Sequence, residues 1–162
     1  MRRASVWNVF ISVGRRLAQE FKGFMWMVGK KTGKTGLAPL SEIVSLDKKR
    51  ALITGSGAGI GKAIAYRFAE AGATLELVDV NEESLATVEE GLRQFNTVIN
   101  VHKVDLSKKE EIDALWKRLD GIEPDILVNN AGIYPTKSFL DVDEVFLKRV
   151  MDVNLYSVFW MC

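Results

Sequence analysis

The chain has 162 residues, 48% of them hydrophobic, 27% charged and 9% aromatic, with 22 basic against 21 acidic side chains. That balance describes one soluble globular domain and excludes a disordered or collagen-like chain. With one cysteine, Cys162, and one histidine, His102, an internal disulfide framework and a four-ligand zinc module are excluded, and a reducing, cytoplasmic compartment is expected.

Charge is unevenly placed. Residues 1–50 carry 11 basic and 3 acidic side chains, whereas residues 51–162 carry 11 basic and 18 acidic. The acidic body argues against a nucleic-acid binder, which needs clustered Lys and Arg to displace counterions. In residues 1–28, Trp7, Phe10, Ile11, Gly14, Leu17, Ala18, Phe21 and Met25 recur at steps of three and four among Arg2, Arg3, Arg15, Arg16 and Lys22. This spacing predicts a basic amphipathic helical extension. No apolar run there reaches the roughly 20 residues that a bilayer span needs. Four readings fit it: a helix in peripheral contact with an anionic membrane, an organelle transit peptide, a helix docked on the protein itself, or a stretch upstream of a true start at Met25 or Met27. Residues 29–45 read as a linker, rich in Gly, Lys and Thr as far as Ser41. Gly33-Lys34-Thr35 is not a P-loop, because position 28, where the motif needs Gly, is Val28.

Over residues 46–162 the pattern changes. Ala51–Thr54 is a short buried-strand run, followed by a glycine-rich turn, Gly55–Gly61, and helical spacing through Ile64, Ala65, Phe68 and Ala69 to a stop at Gly72. Thr74–Asp79 is a second strand. Asn81–Phe95 is a helix capped by Asn81, with Glu82 and Glu83 in its first turn. Thr97–Lys103 is a third strand, and Ser107–Leu119 a helix for which Ser107 and Glu110 form a capping box. Asp125–Asn129 is a fourth strand; after Pro135, the spacing of Val142, Val145, Phe146, Arg149 and Val150 predicts helix to the end. This alternation predicts an α/β fold, a doubly wound, Rossmann-like parallel sheet of order 3-2-1-4 with right-handed crossovers.

The loop after the first strand carries the chemistry. Glycines at 55, 57, 59 and 61 let the backbone approach a pyrophosphate, and the helix opening near Gly59 offers it unpaired N–H groups. The pattern G-x-G-x-x-G fails from either start, because Ile60 and Lys62 stand where the last Gly is required. What fits is Thr54-Gly55-x-x-x-Gly59-Ile60-Gly61.

This string resembles that of the short-chain dehydrogenase/reductase family. Further motifs match in order: Asp79 closing the second strand, Asp105 in Val104-Asp105-Leu106, Asn129-Asn130-Ala131-Gly132 at the end of the fourth strand, and Asn154 in Met151-Asp-Val-Asn-Leu155. The resemblance covers residues 46–162. It implies that Gly55, Ser56, Gly59, Ile60 and Gly61 hold the cofactor diphosphate, and that Asp79 accepts the hydroxyls of the adenosine ribose. It further implies that Asp105 takes the adenine amine beside Leu106, and that Ala131 and Gly132 let the cofactor pass the strand end; Asn130, counted with the cofactor-binding residues, and Asn129 are read as tying neighbouring backbone together. Asn154 stands where the family holds a water linked to its catalytic Lys. The Asp79 charge opposes a 2′-phosphate, and no Lys or Arg at 56–58 or 80–81 offsets it, so NAD is favoured over NADP. His102 and Trp116 are read as residues without a role.

Reduction of a carbonyl needs a proton donor of lowered pKa. The family supplies a Tyr with Lys four residues later, and a Ser. Here Tyr66 is followed at four by Glu70, Tyr134 by Ser138 and Tyr156 by Trp160. The chain is therefore expected to be the N-terminal part of an oxidoreductase of secondary alcohols or carbonyls, cut before its fifth strand and inactive alone. The full-length enzyme is expected to act on a small molecule and to be a homo-oligomer. The alternative is a non-catalytic dinucleotide-binding or interaction module, complete as given.

Overall fold

The computed structural model describes residues 7–8 and 38–162. Two short elements, β1 (Trp7–Asn8) and α1 (Leu40–Ile43), precede the body, the latter inside the segment read as a linker. Ala51 to Thr54 are all buried, which makes β2 (Arg50–Thr54) a central strand covered on both faces. Helix α2 (Gly59–Glu70) leads to β3 (Thr74–Asp79), α3 (Glu82–Leu92) to β4 (Ile99–Lys103), and α4 (Lys109–Arg118) to β5 (Ile126–Val128). All pairings are parallel, with Leu52 beside both Glu76 and Leu127, and Glu76 beside Asn100. The four longer strands run β4-β3-β2-β5, the predicted 3-2-1-4 order of a doubly wound sheet.

Helices cover both faces because both faces are apolar. Ala65 and Ala69 of α2, with Leu85, Val88 and Leu92 of α3, close over Ala51, Ile53, Leu75 and Leu77. On the other face Ile112 and Leu115 of α4 close over Leu52, Val78 and Leu127. Each fully buried Leu or Ile contributes about 1.5–3 kcal/mol before entropy is charged against it.

Helix α3 starts as predicted, Asn81 Oδ1 accepting the Ser84 N–H at 3.0 Å. The other predicted cap is corrected. Helix α4 begins after Lys108, whose side chain makes no capping bond, and Ser107 instead donates its N–H (3.0 Å) and hydroxyl (2.7 Å) to Asp105 Oδ1. An Asx turn spanning two residues outcompetes the cap for Ser107. It is Glu111, not Glu110, that folds back, accepting the Asp105 N–H at 2.7 Å.

The last predicted helix forms in three pieces. Helix α5 (Glu144–Met151) is capped by Asp143, which accepts the Phe146 N–H at 2.7 Å; a wide π-helical turn follows over Asp152–Tyr156, then α6 (Ser157–Met161), whose Met161 is buried against the sheet.

The outer edge of β5 is paired by β1, with Trp7 beside Ile126 and Asn8 beside Leu127. This corrects the helical reading at those two positions. An edge strand presents unpaired N–H and C=O groups, and aromatic or β-branched sequence such as that around Trp7 suits an extended partner. The rest of the predicted basic helix and residues 29–37 lie outside the described residues. Among the described residues no helix is long and apolar enough to cross a membrane.

One carboxylate lies in this core. Glu76 is 1% exposed and accepts hydrogen bonds from the Arg50 guanidinium, Asn100 Nδ2 (2.9 Å) and His102 Nε2 (2.7 Å). Burial alone would raise its pKa, but the donors, His102 foremost, together hold it below the ordinary glutamate value. Period-two alternation puts all four on one face of three adjacent strands. His102, read as having no role, is therefore corrected to a partner of this buried charge.

Candidate functional site

The chemistry collects at the carboxyl ends of the strands, where open α/β sheets bind ligands. Thr54 closes β2 and is 2% exposed. Its hydroxyl donates to the Val128 carbonyl (3.1 Å) and accepts the N–H groups of Asn130 (3.0 Å) and Ala131 (3.1 Å). The Asn130 amide donates in turn to the carbonyls of Thr54 (3.0 Å) and Gly55 (3.2 Å). Two strand ends are thereby locked together, with Asn130 as the brace.

Beyond Thr54 the chain turns through Gly55 into α2. Ala58, extended at the start of that helix, makes no side-chain cap, and the first backbone N–H to reach back within the helix is that of Lys62, to Ala58 O at 3.1 Å. The N–H groups of Gly59, Ile60 and Gly61 precede it and have no acceptor in the helix. Gly59 has φ +53°, and a Cβ there would meet nothing within 4 Å. A Cβ on Gly61 would stand 2.1 Å from the Gly55 carbonyl oxygen and 2.6 Å from Asn130 Nδ2. Glycine at 61 thus lets the helix seat on the loop, while glycine at 59 leaves its N-terminus bare. An uncapped helix start with three free donors fits a diphosphate.

Ser56 is turned inward. It is fully buried, and both its N–H (3.2 Å) and its hydroxyl (3.3 Å) meet the Val78 carbonyl, which ties the loop to β3. Asp79 ends β3, where its Oδ2 accepts the Gly57 N–H and its Oδ1 the Asn81 N–H, both at 2.9 Å. These bonds fix the carboxylate and leave lone pairs on each oxygen for a sugar diol. Gly57, read above only as part of the glycine-rich turn, also makes room for that acid: a Cβ there would lie 2.9 Å from Asp79 Oδ2 and 2.8 Å from Ser84 Cβ.

A cleft of about 240 Å³ opens between these elements. Gly55, Asp79, Asp105, Leu106, Ala131 and Gly132, all predicted for the site, line it together. Partial burial would raise the Asp105 pKa, but the Ser107 hydroxyl and N–H, with the Lys108 ammonium, pull it below the usual aspartate value. It stays ionised near neutrality and can accept from an amine. Ile60 is 73% exposed on the first turn of α2. Asn154, in the π-helical turn, is committed to the backbone of Ile133: Oδ1 accepts its N–H and Nδ2 donates to its carbonyl, both at 2.8 Å. Ile133, Val153 and Arg149 also line the cleft and were not predicted; Arg149 and Val153 lie four apart, hence on one face of the helical segment.

The sequence model of the short chain dehydrogenase family matches residues 49–162. The 3beta-hydroxysteroid dehydrogenase 2 of Eggerthella lenta is 39% identical over 113 residues, 68% of this chain and 44% of that protein. Two solved structures share the fold. A 7 alpha-hydroxysteroid dehydrogenase complexed with NADH and 7-oxo glycochenodeoxycholic acid superposes with a TM-score of 0.70 at 35% identity, covering 76% of this chain and 49% of that one. L-sorbose reductase from Gluconobacter frateurii, complexed with NADPH and L-sorbose, gives 0.69 at 28% identity, covering 73% and 46%. The chain spans about half the length of the curated relatives it matches.

Proposed function

The chain belongs to the short chain dehydrogenase family, and from that premise we propose that it forms the dinucleotide-binding part of an oxidoreductase acting on a small secondary alcohol or carbonyl, with NAD as its cofactor. The nicotinamide supplies or accepts the hydride when bound. The three unpaired N–H groups at Gly59, Ile60 and Gly61 hold the diphosphate, Asp79 the adenosine ribose, and Asp105 the adenine amine. Ala131 and Gly132, with little side-chain bulk, leave the strand end open for the cofactor to pass.

The observation that carries this reading is the fixed Asp79 carboxylate, held by Gly57 and Asn81 beside the uncapped helix start. Its charge supports NAD over NADP, because a 2′-phosphate would meet a like charge at a site with no neighbouring cation at 56–58 or 80–81. None of the three tyrosines has Lys four residues on, so these residues are assigned cofactor binding and not proton transfer. We also propose that Asn154 acts through the cleft wall, by setting Ile133, and touches no reacting atom. Calorimetric titration of the natural full-length protein with NADH and NADPH tests the reading. Saturable NADH binding that exceeds NADPH binding is expected, and no binding of either overturns it.

A further inference from the structure

Arg149 is the one cation among the described residues that line the cleft. Among the described residues its guanidinium makes no ion pair or side-chain hydrogen bond. Its neighbour Lys148, by contrast, is paired with Asp152 at 2.6 Å. Arg149 lies on α5 one turn before Val153, and both line the same cleft as Asp79 and Asp105. Both carboxylates are already engaged: Asp79 by two backbone N–H groups, Asp105 by Ser107 and Lys108. A cation that shares a cleft with two anions and pairs with neither is free to meet a ligand bound there.

The walls around it say what part of a ligand that is. Val80, Val104, Leu106, Ile133 and Val153 give the cleft an apolar lining, with the Asp105 acceptor among them. An apolar lining that carries such an acceptor suits a flat heteroaromatic ring carrying an amine. A guanidinium is planar, weakly hydrated and always charged, so it gains by lying on such a ring, and its methylene stem extends the apolar wall. Resting on the cofactor assignment above, we propose that Arg149 is a cofactor-contact residue that covers the adenine ring at the mouth of the cleft.

The test uses the natural full-length protein and equilibrium binding. Arg149→Met keeps the stem and removes the charged plane. It should weaken NADH and ADP-ribose alike by about three- to tenfold, and leave reduced nicotinamide mononucleotide, which has no adenosine, unchanged. An unchanged thermal midpoint establishes that the exposed substitution leaves the fold intact. Arg149→Lys, which keeps charge but not the plane, should recover less than half of the loss. Unaltered affinity for ADP-ribose in Arg149→Met overturns the contact. So does an equal loss with the mononucleotide, and so does full recovery in Arg149→Lys, which would move the role to general attraction for the diphosphate. Failure of the unsubstituted protein to bind NADH would instead remove the cofactor assignment itself, and the Arg149 contact with it.

Discussion

The carboxylate of Asp79 receives the backbone N–H of Gly57 at 2.9 Å across the glycine turn. The turn and the acid that closes β3 are therefore one unit, and the acid is aimed before any ligand arrives. Replacing Asp79 by Ala removes charged acceptors from the ribose, each worth about 1.5–3 kcal/mol. The expected outcome is an NADH dissociation constant raised about 10- to 100-fold, with a smaller loss for NADPH, whose extra phosphate no longer meets a negative charge. Parallel titrations with the two cofactors check this, and equal losses would contradict the ribose contact.

Two glycines in the same turn should fail for different reasons. Gly61→Ala drives a Cβ into the Gly55 carbonyl, an atom of the main chain that cannot swing aside, and should cost about 2–3 kcal/mol of unfolding free energy. Gly59→Ala meets nothing within 4 Å but must adopt φ +53°, and should cost about 1 kcal/mol. Urea midpoints rank the two. A larger loss at Gly59 would mean that backbone conformation, and not contact, dominates the turn.

Asn154→Ala should remove both hydrogen bonds to Ile133, for a loss of about 2 kcal/mol at about 1 kcal/mol each. Because Ile133 lines the cleft, NADH affinity should fall as well. A thermal shift with untouched NADH affinity would show that the Ile133 backbone holds its place without the amide.

Acid should act through Glu76. Its pKa in the folded protein lies below the ordinary value of 4.5, so the folded state prefers the ionised form. The associated stabilisation is fully present above pH 4.5 and is lost as the pH falls through the lower, folded value. Thermal midpoints measured from pH 7 down to 3 should drop for the natural protein. In Glu76→Gln the curve should start lower and fall less. Parallel curves would assign the acid sensitivity to other carboxylates with lowered values, such as Asp125.

The sheet order and the cleft were legible because each rests on local signals that tertiary structure did not override. Buried runs such as Ala51–Thr54 gave the strands, and the spacing of Gly55, Gly59 and Gly61 gave the turn. Asp79 and Asp105 were readable as acids that close strands. What stayed hidden depends on pairing across the sheet. Nothing local distinguishes Glu76 within Leu75-Glu76-Leu77 from a solvent-facing residue, and only the strand register reveals His102 and Asn100 as its partners. The inward turn of Ser56 was hidden for a similar reason, since its orientation is set by the distant Val78 carbonyl. The Ser107 cap failed because Asp105, two residues away, competed for the same donors. Arg149 and Val153 sit in an apolar helical pattern that reads as packing until the cleft is in view.

The wide turn at Asp152–Tyr156 has a consequence for length variation. A turn whose hydrogen bonds reach five residues back instead of four takes up a surplus residue without shifting the rows of side chains on either side. Deleting one of the five would relax the bulge into ordinary winding and leave the rows downstream in place, with Ser157 and Met161 still turned inward. What such a gap endangers is local, the pair of bonds by which Asn154 holds Ile133. The segment should therefore accept a one-residue gap that spares Asn154, where a regular helix would have its downstream face turned by about 100°.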